Sequence, residues 1–251
     1  MSDLQRYDYS RFINPDTIGL YANTNEAYLT GNVKGIILEF PGLDGGSCLG
    51  GTMTRCEYAS DYAKDFAKNG ILLAYLFPGP WSWGNKGAIR MADAVVAAIA
   101  KKYHLVDNFP LAACGGSMGG VGCLLYAADS VYSVAAVAAA CPCVDIVDRM
   151  DSNPNFPRTI ICAAAGYDMP IEAALQKISL ITRVDDMPDI PYFICSDGDD
   201  EVFPQEQCDY YVDVLKNKGY QVEHAQQPTL RHGEFTPEVR KRLHDFLKDQ
   251  F

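Results

Sequence analysis

Basic residues are scarce in this sequence. Its 251 residues include 21 lysines and arginines against 32 aspartates and glutamates, which gives a formal net charge of -11 at pH 7. A surface of this sign repels phosphate backbones and anionic lipid headgroups. No dense run of lysine or arginine interrupts the acidic background. The charge balance therefore argues against nucleic acid and against a membrane surface as partners.

Long apolar runs are also absent. The longest candidate, residues 131–143, is shorter than the about 18 apolar residues that a membrane span requires. Residues 1–6 contain no cationic segment followed by an apolar core, so they do not resemble a secretory signal. These features predict a cytoplasmic protein. With 48% hydrophobic and 21% charged residues, we expect residues 1–251 to form one globular domain.

The nine cysteines lack the spacing of a disulfide framework. Five of them lie inside apolar runs, which predicts reduced thiols in the core: Cys114, Cys123, Cys141, Cys162 and Cys195. The Cys141-Pro142-Cys143 segment could be half of a metal site, but no second pair follows it and the four histidines are scattered. The sequence therefore predicts neither a metal nor a cofactor.

Short apolar runs alternate with longer amphipathic segments from residue 35 onward, a pattern typical of a mostly parallel sheet with crossover helices. The predicted strands are 35–40, 71–77, 111–114, 134–141, 190–195 and 221–226. The predicted helices are 54–68, 86–102, 118–128, 204–218 and 237–248. Segments 18–21 and 26–29 flank a polar turn and predict an antiparallel hairpin at the sheet edge. Residues 145–189 break the alternation and predict a lid insertion.

A glycine-rich motif follows the third strand of the predicted sheet. Strand 111–114 runs into Gly115-Gly116-Ser117-Met118-Gly119, and a helical pattern comes next. A nucleophilic serine needs this strand, turn and helix context, because small neighbours avoid clashes in its strained turn. We therefore predict that Ser117 is a nucleophile. A similar string at Ser47 lacks the closing glycine, and we interpret Ser47 as a loop residue.

A serine nucleophile needs a general base, and histidine suits this role because its ordinary pKa lies near neutrality. His232 lies in the predicted loop between the last strand and the last helix, at the sheet edge where reactive groups gather. His104, His224 and His244 fall in helix or strand patterns, and we interpret them as a cap, a sheet residue and a surface residue. His232 is the predicted base.

The third member of such a site is a carboxylate that orients the histidine. An acidic cluster follows strand 190–195, and Asp200 is preferred within it because it lies in the turn just before the next helix. Asp197 lies nearer the strand end, and Asp199 is expected to face the other way. Asp145, after the preceding strand, is a more distant alternative.

The order Ser117, Asp200, His232 and the surrounding motifs carry a resemblance to a known family. From residue 35 to its end, the chain resembles α/β-hydrolases of the esterase and prolyl-oligopeptidase-like group. The matching motifs are Gly115-Gly116-Ser117-Met118-Gly119, Asp200-Glu201-Val202-Phe203-Pro204 and His232-Gly233. The resemblance implies an α/β-hydrolase fold, with a mostly parallel central sheet and helices on both faces, and a serine hydrolase activity.

An oxyanion hole is expected beside the nucleophile. Met118 supplies one backbone N–H by its position directly after Ser117. The resemblance implies Leu43 as the second donor, with Asp44 as an alternative, because Pro41 stands where the family usually has a histidine.

The sequence also indicates a pocket and a reaction. Trp81 and Trp83 follow strand 71–77 at the same sheet edge and are predicted to line the substrate pocket. We expect hydrolysis of a small or medium carboxylic ester through an acyl-enzyme. A peptidase or amidase is less favoured because the chain has no room for a gating domain. A non-catalytic ligand-binding relative is a third possibility, against which an intact triad argues.

Overall fold

Seven strands form one sheet in the computed structural model, which describes residues 8–50 and 58–251. In chain order they are β1 (Ala22–Thr24), β2 (Gly35–Phe40), β3 (Ile71–Leu76), β4 (Leu111–Gly116), β5 (Ala136–Ala140), β6 (Tyr192–Asp197) and β7 (Val222–Gln227). Across the sheet the order is β1-β3-β2-β4-β5-β6-β7. The pairing of β1 with β3 is antiparallel, and the other five pairings are parallel.

Helices cover both faces of the sheet. In the described residues they are α1 (Asp61–Lys68), α2 (Lys86–Tyr103), α3 (Met118–Asp129), α4 (Ile146–Arg149), α5 (Phe156–Ala164), α6 (Ile171–Ile178), α7 (Gln205–Asn217) and α8 (Pro237–Lys248). The core cluster on one face includes side chains of α2, α3, α5, α6 and α7. The cluster on the other face includes side chains of α1 and α8. Parallel sheets are normally covered on both sides in this way.

The central strands β2 to β6 are mostly apolar because both of their faces are buried, whereas the edge strand β7 is mixed in polarity and partly exposed. In β2, Ile36 and Leu38 join the core beneath α2 and α3, whereas Ile37 joins the core beneath α1 and α8. Glu39 lies on the same face as Ile37 and is fully buried. A carboxylate therefore lies at the carboxyl end of β2, next to the loop that follows it.

The predicted N-terminal hairpin is wrong. Segments 18–20 and 26–28 are single 3-10 turns, and β1 between them pairs with β3 instead. The reason is Asn25, which the sequence placed in an exposed turn but which is fully buried. Its amide donates to the carbonyls of Ala63 (2.8 Å) and Ile71 (3.1 Å) and accepts from the Leu73 N–H (2.9 Å). The polar turn residues thus bind neighbouring elements rather than reverse the chain.

Two smaller predictions also need correction. Helix α1 begins at Asp61, where the Ser60 hydroxyl caps the Ala63 N–H at 3.1 Å, and the predicted start at residue 54 lies outside the described residues. The eight described cysteines are free thiols, but Cys162 is exposed rather than buried. Helix α5 is amphipathic, and its Ile160 and Ala163 face the core while Cys162 faces solvent.

Residues 145–189 fold into α4, α5, α6 and two 3-10 turns. This insertion packs against the core beneath α2 and α3 through Phe156, Ile160 and Leu175. The role of this insertion as a lid stays a prediction. Within the described ranges, no helix combines the length and the apolar character that crossing a membrane requires.

Asn25→Ala should destabilise the fold. The substitution leaves the Ile71 carbonyl and the Leu73 N–H without their side-chain partner inside the core, which we expect to lower the free energy of unfolding by about 3 kcal/mol. Urea unfolding of the variant measures this loss. Exposed Asn32→Ala is the control and should unfold at the native urea concentration; equal stability of the two variants would contradict the anchoring role of Asn25.

Candidate active site

Ser117 is the single residue that connects β4 to α3. Its backbone has φ 58° and ψ -125°, a left-handed conformation that is strained for a residue with a side chain. The Ser117 N–H donates to the carbonyl of Ala140 at the end of β5 (2.8 Å), which holds the strained turn against the sheet. Met118 begins α3, so the serine lies directly before a helix N-terminus.

The glycines around Ser117 are required by close contacts. A Cβ on Gly115 would overlap the carbonyl of Gly119, and a Cβ on Gly119 would overlap the carbonyl of Phe40. The turn therefore brings α3 into backbone contact with β2, which only glycine permits. This explains the motif spacing in physical terms.

His232 and Asp200 come together as the sequence predicted. The Nδ1 atom of His232 lies 2.7 Å from Oδ2 of Asp200. The other carboxylate oxygen of Asp200 accepts the N–H groups of Val202 and Phe203, each at 2.8 Å. The side chains of Asp200 and His232 are 2% and 15% exposed, so the pair is shielded from water while the imidazole still reaches a cavity.

The alternative acids are positioned for other roles. Asp199 is exposed, and Asp145 caps α4 by accepting the N–H groups of Val147 and Asp148. Asp197 is buried and bonds to the backbone of the His232 loop rather than to the imidazole.

The other histidines lie away from Ser117. His104 ends α2, and His224 in β7 lies 3.0 Å from the hydroxyl of Ser196, where burial lowers its pKa. His244 is buried between the rings of Tyr62 and Phe66, so its interpretation as a surface residue is wrong. Helix α8 turns that residue toward α1.

A cavity of about 340 Å³ joins Ser117 to His232. The loop after β2 contributes Leu43 and Asp44 to its wall, and the insertion contributes Asn153 and Phe156. Leu43 is partly buried whereas Asp44 is exposed. Both alternatives for the second oxyanion donor therefore lie at the cavity that Ser117 lines.

A continuous series of four rings runs beside this cavity, and three of them, His232, Phe156 and Trp83, line it. His232 contacts Phe203 edge to face at 5.1 Å, Phe203 stacks on Phe156 at 5.7 Å, and Phe156 contacts Trp83 at 5.6 Å. The geometries are among those favoured by ring quadrupoles. The imidazole is thus packed against the insertion through apolar contacts.

The two tryptophans occupy different places. Trp83 is fully buried, lines the cavity and donates from Nε1 to the hydroxyl of Thr159 at 3.2 Å. Trp81 is half-buried and does not line this cavity; the guanidinium of Arg158 lies 5.1 Å from its ring centroid. Of this pair, the structure brings Trp83 to the site.

Glu39 anchors the loop after β2 where Pro41 replaces a histidine. One carboxylate oxygen accepts the Ser47 hydroxyl (2.5 Å) and the Leu49 N–H (3.0 Å), and the other accepts the Tyr58 hydroxyl. Burial raises the pKa of Glu39, although each of these donors opposes that rise. Ser47 also lines the cavity, so this loop serine connects the anchor to the site.

The tip of the same loop has its own attachment. The Tyr75 hydroxyl donates to the Gly45 carbonyl at 2.7 Å, and the Gly42 N–H donates to the Gly46 carbonyl at 2.9 Å. Leu43 therefore lies in a closed turn that is bonded to β3.

Within residues 8–50 and 58–251, two groups of side chains have the spacing of metal ligands. They are Glu39, Cys48 and Cys114, and Cys141, Cys195 and Asp197, and within each group the donor atoms lie within 4.8 Å of one another. The contact with Cys114 lowers the pKa of Cys48, but burial and the nearby Glu39 together raise it to about 11. The contact with Cys195 and burial raise the pKa of Cys141 well above its usual range. A metal would require the thiolates that this environment disfavours. The absence of a metal stays a prediction.

Sequence reasoning missed Glu39 and Phe156 as parts of the site. Glu39 had a usable signal, because a charged residue inside the apolar run 35–40 needs buried partners. Phe156 had none, since its contact with the site depends on how the insertion folds back.

The sequence from residue 82 to residue 251 matches the model of the prolyl oligopeptidase family. The chain belongs to this family. Its fold is therefore that of the α/β-hydrolases, as the motifs predicted. No curated protein sequence matches the chain significantly.

Solved structures share this fold. The acylaminoacyl peptidase of Pyrococcus horikoshii is 16% identical with a TM-score of 0.66, over 86% of this chain and 36% of that one. A puromycin-hydrolyzing peptidase of Mycobacterium tuberculosis is 17% identical with a TM-score of 0.68, over 88% and 34%. Esterase B from Lactobacillus Rhamnosis is 14% identical with a TM-score of 0.60, over 88% and 78%. The chain thus spans about a third of the length of the two peptidases.

Glu39→Gln should change how stability depends on pH. Because the folded-state pKa of Glu39 is raised above its ordinary value of 4.5, its stabilising contribution is complete below that value and is lost as pH rises through the folded-state pKa. The glutamine variant has no such loss. Its free energy of unfolding relative to the native protein should therefore increase with pH, as measured by urea unfolding from about pH 4.5 to 8.

The control for this experiment is Glu172→Gln, at an exposed site on α6. It should show little of the change. A difference between Glu39→Gln and the native protein that stays constant across the pH range would mean that Glu39 does not titrate as a buried carboxyl.

Proposed function

We propose that the protein hydrolyses small or medium carboxylic esters through an acyl-enzyme on Ser117. The observation that carries the proposal is the 2.7 Å contact of His232 with Asp200, at a cavity that both His232 and the strained Ser117 line. An acid, a base and a nucleophile in this arrangement are the parts that acyl transfer needs.

In the acylation step, the Ser117 oxygen attacks the ester carbonyl carbon while its proton passes to Nε2 of His232. Asp200 holds the opposite ring nitrogen and stabilises the imidazolium. Collapse of the tetrahedral intermediate breaks the bond to the alcohol oxygen, which takes the proton from His232. Water then attacks the acyl-enzyme and gives a proton to His232. Collapse of this second tetrahedral intermediate breaks the bond between the acyl carbon and the Ser117 oxygen, which takes the proton back from His232 as the acid leaves.

The backbone N–H groups of Met118 and Leu43 are proposed to stabilise the oxyanion. Met118 lies at the N-terminus of α3, where the helix dipole also favours negative charge. Leu43 lies in the closed turn that Tyr75 ties to β3. A fixed turn supports this role because donors that need no reorganisation stabilise the transition state best.

The size and apolar lining of the cavity support an ester with a compact acyl group. Trp83, Phe156 and Leu43 are among the residues that line it, and its volume of about 340 Å³ is modest. A second candidate is a peptidase or amidase on the same residues. Membership of the prolyl oligopeptidase family and the fold shared with peptidases favour it.

One panel of substrates separates the two candidates. The purified protein is assayed against p-nitrophenyl acetate and butyrate and against matched aminoacyl p-nitroanilides, with Ser117→Ala as the blank. We expect ester turnover that exceeds amide turnover and that Ser117→Ala abolishes. Preferred cleavage of the anilides would assign the peptidase function, and ester turnover retained in Ser117→Ala would exclude Ser117 as the nucleophile.

Asp200→Asn should lower kcat by about 10³- to 10⁴-fold, because an amide cannot hold the imidazole in the productive tautomer. Asp199→Asn is the matched control, since Asp199 is the exposed neighbour in the same turn. Initial rates on p-nitrophenyl butyrate measure both. A larger loss in Asp199→Asn would reassign the acid.

A further inference from the structure

Asp197 is a second buried carboxylate beside the His232 loop. It ends β6 and is 1% exposed. One oxygen accepts the amide of Gln227 at 2.6 Å, and the other accepts the Cys141 thiol at 2.8 Å and the Gly233 N–H at 3.1 Å. None of these three partners is a cation.

Gln227, which binds Asp197, also binds the backbone of the loop that carries His232. Its amide nitrogen also donates to the Glu234 carbonyl at 3.1 Å, and its amide oxygen accepts the Thr236 N–H at 2.9 Å. Asp197 and Gln227 together therefore bind the backbone at three places, all within four residues of His232.

The same turn carries Asp200. The Asp200 N–H donates to the Asp197 carbonyl at 3.4 Å, and Gly198 between them packs so closely on Pro228 that a Cβ there would overlap its carbonyl. Asp200 contacts the ring of His232, and Asp197 contacts the N–H of the next residue. One rigid turn thus holds both the side chain and the backbone of the histidine.

The arrangement around Asp197 is unfavourable for stability. Burial and the nearby charge of Asp200 raise the pKa of Asp197. Cys141, one of its donors, has a φ of 44°, which is strained for a residue with a side chain. Buried charge without a cation opposes folding. A group that only filled this space would cost less if it were neutral.

We propose that Asp197 is a positioning residue for the reaction, which fixes the backbone of the His232 loop so that the imidazole meets Ser117. The inference rests on the proposed function of Ser117 and His232. Asp197 acts through Gly233 and Gln227 and does not touch substrate.

Asp197→Asn tests the proposal with little change in volume. Both oxygens of Asp197 accept hydrogen bonds, but asparagine has one oxygen and one NH₂ group. The NH₂ group of the variant must therefore face a donor, either the Gln227 amide nitrogen or the Gly233 N–H with the Cys141 thiol. We expect kcat on p-nitrophenyl butyrate to fall about 10- to 100-fold, as small misplacements of a catalytic group do. KM should stay unchanged, and the rate at which a small fluorophosphonate labels Ser117 should fall by the same factor.

The labelling rate of the folded fraction separates positioning from a structural role. Loss of the buried charge and the mispaired amide act on the melting temperature in opposite directions, so the melting temperature serves only to set a temperature at which the variant is fully folded. A residue with a purely structural role would leave the labelling rate of the folded fraction unchanged, and that result would overturn the proposal. Asp199→Asn is the control and should label at the native rate.

Two further results keep the test decisive. If Asp197→Asn does not fold, Gln227→Met removes the adjoining loop contacts while filling the space, and the same loss of kcat and labelling at constant KM is expected. Labelling of folded Gln227→Met at the native rate would then contradict the proposal.

The failure of the proposed function gives a different result. If the native protein is not labelled at Ser117, the proposed function fails. If the native protein is labelled and Asp197→Asn is labelled equally fast, only the positioning role is rejected.

Discussion

The approach of helix α3 to strand β2 governs the geometry of the site. At Gly119 the helix backbone meets the Phe40 carbonyl with no room for a side chain, and the strained conformation of Ser117 is what lets the chain enter the helix at that distance. The N–H of Ser117 is fixed to β5 on the other side. The serine is therefore located by the central sheet itself, and the loops of the neighbouring strands are arranged around it.

Buried carboxylates hold those loops. Glu39, the last residue but one of β2, binds the loop that carries Leu43, while Asp197 and Asp200, at and just after the end of β6, bind the loop that carries His232. Each carboxylate accepts backbone N–H groups that the loops cannot satisfy among themselves. Ligand sites of α/β sheets lie at this edge because the strands end there with loops whose backbone groups need partners.

Local patterns predicted much of this arrangement. The buried parallel strands were recognisable because their apolar runs are continuous, and β2 and α8 have the predicted bounds. Ser117 was recognisable because its strained turn needs glycines on both sides, where a side chain would overlap the neighbouring backbone. The contact of His232 with Asp200 followed from placing two loops at one sheet edge.

What the sequence could not predict depends on partners far along the chain. Asn25 is 38 residues from Ala63 and 48 from Leu73, so no local pattern could show that it is an anchor and not a turn. Asp197 was weighed as an acid because the acidic cluster does not reveal which carboxylate faces the imidazole. Phe156 was not predicted because its contacts, with Trp83 and Phe203, are also with residues far along the chain.

The burial of Trp83 has a spectroscopic consequence. The chain has two tryptophans, and Trp83 is the fully buried one, with its ring edge against Phe156 at the start of α5. Its emission wavelength and quantum yield depend on that dry, aromatic surrounding, whereas the half-exposed Trp81 reports mainly on solvent. Intrinsic fluorescence of this protein is therefore a built-in optical probe of whether the insertion is seated on the cavity.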